Sequence, residues 1–328
     1  MYKSLTIAAL AAASALPALA QSSVTMYGRF NTSVERQRDS GAFGAESVSQ
    51  TQMVNNSSRL GVKGSEDLGG GLRAGFQLEH GFNSDTGAIS RDTFWGRQSE
   101  VNLGGGFGTV RLGLFTSEAY YATADYVSMH NHDTGTSSDA LYAYIGRDRD
   151  KIGYASPSWG GVVAHASVAL RETVNGVSDS TRIIDLAVNY DAGPLHLGAG
   201  FERSGSERNQ FAIRALYEAG PFTFGGYYQR DKNGLCADFS CGTRNNFRLS
   251  GMYAFGANEL HLNVGLAGEY SDINDSDARQ FTVAYNYNLS KRTKVYAFYT
   301  RLADGDAGFY RGFAGDFSSL ALGVRHNF

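Results

Sequence analysis

The stretch between Thr116 and Arg147 contains a cluster of residue types that could do chemistry. This stretch holds the run His130-Asn131-His132-Asp133, with Ser128 close by, and it has no lysine or arginine before Arg147. Its acidic residues are Glu118, Asp125, Asp133 and Asp139. Imidazoles and carboxylates can bind a divalent metal ion, and a serine near a histidine can act as a nucleophile. Both kinds of site therefore have to be considered first.

Neither a metal site nor a catalytic site has a complete set of residues here. The two histidines and one aspartate have no evident fourth ligand, so they do not close a zinc site. No motif places Ser128 beside a base and an orienting acid, which an activated nucleophile requires. We therefore expect no enzyme activity, no bound metal and no cofactor.

The N-terminal segment, residues 1–20, has the features of a cleaved export signal. Lys3 provides the positive start, an apolar centre runs from Leu5 to Ala18, and Ala18-Leu19-Ala20 is a small-x-small cleavage site. The apolar run is too short to span a membrane as a helix. We expect one mature domain, residues 21–328.

Export has a consequence for the only two cysteines, Cys236 and Cys241. They bracket four residues of loop character, and no histidine is nearby, so a metal site is poorly supported. In an oxidising compartment a local disulfide is the expected state.

Composition narrows the class of exported protein. The chain has 29 basic and 32 acidic residues, and removing Lys3 with the signal leaves 28 against 32, a net charge of −4. This balance excludes the concentrated basic face of a nucleic-acid binder. Mean hydropathy is −0.29, yet there are 19 Tyr, 20 Phe and 41 Gly with only 4 Pro. Abundant aromatic residues without persistent helical segments suit a barrel whose rims lie at a membrane interface.

Outside the Thr116–Arg147 stretch, short segments alternate apolar and polar residues. From Val24 to Val34, apolar residues fall on one face of a strand and polar residues on the other. The apolar face would be the core of a soluble sandwich but the outside of a membrane barrel. We count about sixteen such segments, an even number, which favours a closed transmembrane antiparallel β-barrel. A barrel of this size leaves an aqueous channel.

Several segments carry recognisable sequences. They are Ser58 to Glu79, Phe94 to Gly113, Lys151 to Gly161, Leu289 to Thr293, and the final strand Leu320 to Phe328. Together they resemble the general porins of Gram-negative outer membranes, in particular the neisserial and burkholderial type. Asp148 and Asp150 stand where that family usually has asparagines.

The resemblance implies a function, a location and partners. It implies an outer-membrane homotrimer in contact with lipid, and a passive channel for ions and small hydrophilic solutes. It also implies that the terminal aromatic residue, Phe328, is read by the barrel-assembly machinery.

The long stretch is then predicted to fold into the barrel after the fifth strand and to set the aperture. Strand parity places a set of basic residues on one wall of the lumen. They are Arg29, Arg59, Lys63, Arg73 and Arg111. Acids of the loop facing this wall would create a transverse field that tunes ion selectivity. Strict parity from Val101 and Leu103 would aim Arg97 at lipid, so we expect a bulge or a position near the rim to intervene, or the register there to differ.

Three alternatives remain open at this point. The barrel could be a solute-specific porin, it could be a plugged barrel that acts as an adhesin or binding protein, or the long stretch could be a surface excursion. We predict general diffusion with weak selectivity, and the sequence does not show which ion is preferred. Bilayer conductance separates a channel from a plugged barrel.

Overall fold

The structure is a computed structural model that describes residues 23–40, 46–127, 140–146, 149–174, 177–179, 181–236, 240–307 and 315–328. Within these ranges the chain forms nineteen strands and one short helix, α1 (Glu118–Ala122). The strands are β1 (Ser23–Asp39), β2 (Val48–Asn55), β3 (Arg59–Gly69), β4 (Leu72–Gly81), β5 (Gln98–Gly105), β6 (Gly108–Leu114), β7 (Lys151–Ala155), β8 (Val162–Ala169), β9 (Glu172–Val174), β10 (Val177–Asp179), β11 (Ile183–Ala192), β12 (Leu195–Ser204), β13 (Arg208–Ala219), β14 (Phe222–Lys232), β15 (Thr243–Phe255), β16 (Asn258–Ala267), β17 (Ala278–Asn288), β18 (Thr293–Asp304) and β19 (Phe317–Asn327). No helix among the described residues is long and apolar enough to cross a membrane.

The strands close into an antiparallel barrel of sixteen wall strands with one additional strand. The additional strand arises because β2 and β3 pair with successive halves of β1, so the two share one position in the wall. β19 returns to pair with β1, and the amide of Gly28 donates to the carbonyl of Phe328 while the amide of Phe328 donates back. β9 and β10 pair only with each other. The predicted fold class is confirmed.

The barrel is apolar outside and polar inside. Leu249, Val24 and Leu322 are 70%, 69% and 68% exposed, whereas the inward Arg244 and Asn246 are completely buried. The alternation occurs because successive side chains of a strand point to opposite faces of the sheet. So much exposed apolar surface fits contact with lipid, as the alternation predicted.

The two ends of the barrel differ in their connections. Short turns such as 70–71, 193–194 and 220–221 join the strands at one end, which we call the turn end. Gly69, Gly70 and Gly71 have φ of +81°, +60° and +83°, a conformation that favours glycine. Longer connections, including residues 115–150, join the strands at the other end, the loop end.

The predicted disulfide between Cys236 and Cys241 is present. It lies at the loop end beyond β14, where both cysteines pack against the buried ring of Tyr270. It therefore joins two points of one connection rather than two distant parts of the barrel.

The side chain of Arg97 does not point in the direction that strict strand parity would give. β5 begins at Gln98, so Arg97 precedes the strand and its side chain does not follow the alternation. Its amide donates to the carbonyl of Glu79 at 3.2 Å, and its Nε lies 2.6 Å from Glu79 Oε1. Arg97 therefore points into the lumen and not at lipid.

Candidate functional site

The chain between β6 and β7, residues 115–150, is called here the inner loop; the structure describes it at 115–127, 140–146 and 149–150. Its helix α1 lies against the inward face of β11 and β12. A Cβ at the inward Gly200 would come within 2.6 Å of Ala119. The absence of a side chain at Gly200 therefore lets the helix approach the wall closely.

Side chains of the wall hold both ends of α1. Asp185 on β11 accepts hydrogen bonds from the amides of Glu118 at 2.7 Å and Ala119 at 2.9 Å. At the other end, Nε of Arg214 donates to the carbonyl of Ala122 at 2.9 Å. A helix of five residues is far shorter than an isolated helix needs to be stable in water. Its geometry therefore depends on these two anchors.

The returning part of the inner loop is attached further around the barrel. Gln229 on β14 accepts from the amide of Ala143 and donates to its carbonyl, each at 2.9 Å. Leu141 packs in a buried cluster with Ala267 and Leu302. The described parts of the loop thus follow the inner face from β11 to β18, which we call the anchoring wall.

The tyrosines of the inner loop do not all pack in the same way. Tyr120 packs against the rings of Tyr142 and Tyr144, with centroids 5.5 and 5.4 Å away. Tyr121 is instead 43% exposed. The surrounding barrel limits hydration of the Tyr121 hydroxyl and raises its pKa, and the charges of Asp125 and Glu79 raise it further. Because Glu79 belongs to β4, this effect acts across the lumen.

The opposite side of the lumen, formed by β1 and β3–β6, is called the open wall. Arg29 and Arg59 are direct neighbours in the β1–β3 register. Nε of Arg29 donates to Asn327 at 3.0 Å, and Nε of Arg59 lies 3.9 Å from Glu79. Nζ of Lys63 lies 5.4 Å from the centre of the Tyr27 ring. Glu79 thus places a carboxylate among these cations.

Arg73 and Arg111 lie apart from this group. Arg73 is exposed at the turn end, opposite Asp67 in the register of β3 and β4. Arg111 makes ion pairs with Glu100 at 2.7 Å and with Glu118 of the inner loop at 2.9 Å. The first acid of the loop is therefore in contact with a wall arginine and is not separated from it by water.

The ionisation of Glu118 reflects these contacts. Burial opposes its charge, but His165, whose Nδ1 is 3.4 Å from the carboxylate, and Arg111 outweigh burial and lower the pKa of Glu118. Glu118 is therefore charged at neutral pH and links α1 to both β6 and β8.

Of the other predicted loop acids, the structure describes only Asp125. Asp125 is half-buried, and its amide donates to the carbonyl of Tyr120 at 3.2 Å. Asp133 and Asp139, together with His130 and His132, lie outside the described residues. Within the described ranges, no three metal-ligating side chains come together.

Sequence reasoning missed the carboxylates of the open wall and the anchors of the loop. The missed residues are Glu79, Glu100, Lys151, Asp185 and Arg214. Asp185 lies between Ile184 and Leu186, which are 40% and 45% exposed, so the same parity rule places it inside. Parity does not show that the inner loop covers Asp185. Asp185 is an anchor because the loop covers it.

Comparison with known proteins agrees with this architecture. The Gram-negative porin family matches residues 6–307. Outer membrane porin protein 32 of Delftia acidovorans is 33% identical, and major outer membrane protein P.IB of Neisseria meningitidis serogroup B is 27% identical, with full coverage of both chains in each case. The solved structure "Anion-selective porin from Comamonas acidovorans" superposes with a TM-score of 0.75 at 29% identity, covering 94% of this chain and 100% of that one. The chain belongs to the Gram-negative porins, outer-membrane β-barrels that act as diffusion channels rather than as enzymes.

Proposed function

We propose that the barrel conducts ions and small hydrophilic solutes through the water between the inner loop and the open wall. The observation that carries this proposal is the one-sided attachment of the loop. Its described parts bind the anchoring wall through Asp185, Arg214 and Gln229, whereas charged side chains of the open wall stay partly exposed. The narrowest water then lies beside Arg59, Arg97 and Tyr121.

The charges beside this water support weak selectivity with a preference for anions. Five cations, Arg29, Arg59, Lys63, Arg97 and Arg111, meet four carboxylates, Glu79, Glu100, Glu118 and the half-buried Asp125 near Tyr121, which leaves a surplus of one positive charge. The carboxylates of Glu79, Glu100 and Glu118 each lie close to an arginine. Much of the electric field that the sequence predicted across the water therefore acts within these ion pairs. A small positive surplus in a water-filled lumen favours anions modestly.

Conductance of the purified barrel in a planar bilayer under a salt gradient tests this function. We expect stepwise openings, a conductance proportional to salt concentration, and a small reversal potential with the sign of anion preference. Absence of openings would favour a plugged barrel, and a strong cation preference would contradict the charge argument. Saturable uptake of a single solute into proteoliposomes would favour a solute-specific porin.

The partners expected from the resemblance belong to the same proposal. We take the barrel to assemble as a homotrimer after removal of residues 1–20, with Phe328 as the assembly signal. The backbone bonds between Phe328 and Gly28 also close the barrel, so Phe328 has a structural role in addition. The apparent mass of the protein in detergent, measured with and without heating, tests the trimer. N-terminal sequencing tests the cleavage site.

A further inference from the structure

The wall strand formed by β2 and β3 contains one residue more than its neighbour β1 requires. Thr32 is paired with Asn55, and Arg29 is paired with Arg59. Between these two pairs β1 supplies two residues, whereas the other strand supplies three, 56–58, which we call the bulge. An extra residue on one strand of an antiparallel pair bends that strand and re-aims the side chains that follow it.

The bulge reverses the side-chain alternation along this wall strand. Met53 is 54% exposed and is paired with the outward Val34, so the odd-numbered residues of β2 point outward. Uninterrupted alternation would therefore point Arg59 outward as well. Arg59 is instead paired with the inward Arg29 and faces the lumen. The extra residue thus reconciles the orientation of β2 with an inward Arg59.

The arginine pair that follows the bulge is unfavourable by itself. Arg59 is directly opposite Arg29, and like charges directly opposite each other destabilise an antiparallel pair. Glu79, 3.9 Å from Arg59, offsets part of this repulsion. Gly28 and Gly61, close to the pair on the two strands, add no side chains, and glycine-rich strands specify their register weakly. Further contacts are therefore needed to hold the two arginines together.

A buried network of neutral side chains supplies such contacts. The hydroxyl of Ser58 accepts from the amide of Asn31 at 3.0 Å and donates to its carbonyl at 3.2 Å, and the side chain of Asn31 donates to the carbonyl of Asn56 at 3.0 Å. The side chain of Asn56 donates to the hydroxyl of Tyr296 on β18 at 3.1 Å, and that hydroxyl donates to Asn31 at 2.9 Å. We call these four residues the bulge network; all are at most 4% exposed. Buried polar groups that satisfy one another fix a single arrangement.

The backbone of the bulge is strained. Ser57 has φ of +59°, a conformation that residues other than glycine rarely adopt. The other described non-glycine residues with positive φ are Asp150, Asn233 and Asp275, which lie in connections and belong to types that tolerate this conformation better. Strain of this kind persists only where the surrounding structure imposes it, and it is common at functional sites. Around Ser57 the bulge network imposes it.

We propose that the bulge network is a positioning device for ion selectivity, which holds Arg59 beside Arg29 so that both guanidinium groups face the same water. Two adjacent cations attract an anion more strongly than the same cations apart, because their potentials add. The network carries no charge of its own, so it acts through the two arginines. This inference deepens the proposed function and rests on it.

Variants that disrupt the network but keep every charge test this inference. Asn56→Ala removes the hydrogen bonds to Tyr296 and to Ser33, the latter at 2.8 Å, and Tyr296→Phe removes only the hydroxyl. Under a salt gradient, the anion-to-cation permeability ratio should fall by about twofold in Asn56→Ala and by less in Tyr296→Phe. The control Thr282→Val removes a buried contact with Thr300, 2.7 Å long, and should leave the ratio unchanged.

Two further measurements separate positioning from a general effect on the fold. If Asn56 acts through the arginines, the shifts caused by Asn56→Ala and Arg59→Gln should not add when the two changes are combined. Amide hydrogen exchange needs no open channel. Exchange around Arg29 and Arg59 should be about tenfold faster in Asn56→Ala than in the unaltered barrel, and unchanged in Thr282→Val.

Several results would overturn the inference. An unchanged permeability ratio in Asn56→Ala, in a barrel that otherwise prefers anions, would show that the network has only a structural role. Equal falls in Asn56→Ala and Thr282→Val, or additive shifts with Arg59→Gln, would show that the network does not act through the arginine pair. Unchanged hydrogen exchange in Asn56→Ala would contradict the inference whether or not the barrel conducts. A silent unaltered barrel would contradict the proposed function itself, and with it any role in selectivity.

Discussion

The anchoring wall and the open wall carry the same kinds of charged residue, but the surroundings of those residues differ. Under the inner loop, the pair Arg244–Asp231 is completely shielded, with both side chains 0% exposed at 3.1 Å. On the open wall, Arg97 keeps 22% of its side chain exposed although it lies 2.6 Å from Glu79. Cover by the loop, and not residue type, therefore separates shielded charges that hold the structure from partly exposed charges that would meet the permeating ions in the proposed function.

The energetics of the two walls should differ for the same reason. Removing one partner of a buried ion pair leaves an uncompensated charge and costs several kcal/mol, whereas a partly exposed pair contributes about 1 kcal/mol or less. Substitutions on the anchoring wall are thus expected to change stability and loop position, and those on the open wall to change ion preference. Three variants examine this difference, in order of decreasing effect.

The largest effect is expected from Asp185→Ala. This change removes the acceptor for the amides of Glu118 and Ala119 and leaves the ammonium group of Lys151, 3.3 Å away and 1% exposed, without its partner. We expect a loss of about 3–5 kcal/mol in the free energy of unfolding and noisy single-channel currents. Denaturant unfolding and bilayer recordings measure both. Asp185→Asn keeps one acceptor oxygen and should lie in between; an unchanged Asp185→Ala barrel would contradict the anchoring role.

A smaller effect on a different quantity is expected from Arg59→Gln combined with Arg97→Gln. The two changes remove the cations beside Glu79 and convert the small surplus of positive charge into a small deficit, so the reversal potential should shift toward cations. Stability should change by no more than about 1 kcal/mol per pair. Arg73→Gln, at the exposed turn end, is the control and should shift the potential less. Equal shifts would show that the lumen has no local site of selectivity.

The smallest effect is a pH dependence that involves Glu118. Because the pKa of Glu118 is lowered in the folded barrel, its contribution to stability is present above about pH 4.3, the ordinary value for Glu, and is lost as pH falls through the folded value. Below pH 4 the bond from Arg111 to α1 should therefore weaken. Unfolding and reversal potential measured between pH 6 and pH 3 should differ less in Glu118→Gln than in the unaltered barrel. Identical pH profiles would show that Glu118 does not link the loop to Arg111.

Alternation along the strands predicted the fold and an inward direction for a few basic residues, because the period of two holds wherever the chain is a regular strand. It placed Arg29, Arg59 and Lys63 in the lumen. Strict parity does not apply to Arg97, which lies just before β5, and an exception to parity was expected there. Alternation along the strands could not predict contacts between segments that are distant in the sequence. Glu79 meets Arg97 eighteen residues later across a connection, and Asp185 becomes a helix cap only because the loop returns over β11.

Accessibility of single cysteines in the conducting barrel tests the central claim most directly. Arg59 faces the proposed water path, whereas Asn246 is 0% exposed beneath the inner loop and donates to Gln229 at 2.8 Å. The native cysteines form a disulfide, and no free cysteine occurs among the described residues. A charged methanethiosulfonate reagent should therefore reduce the current through Arg59→Cys and leave that through Asn246→Cys unchanged. Block at Asn246→Cys with no effect at Arg59→Cys would place the water on the other side of the loop and contradict this account.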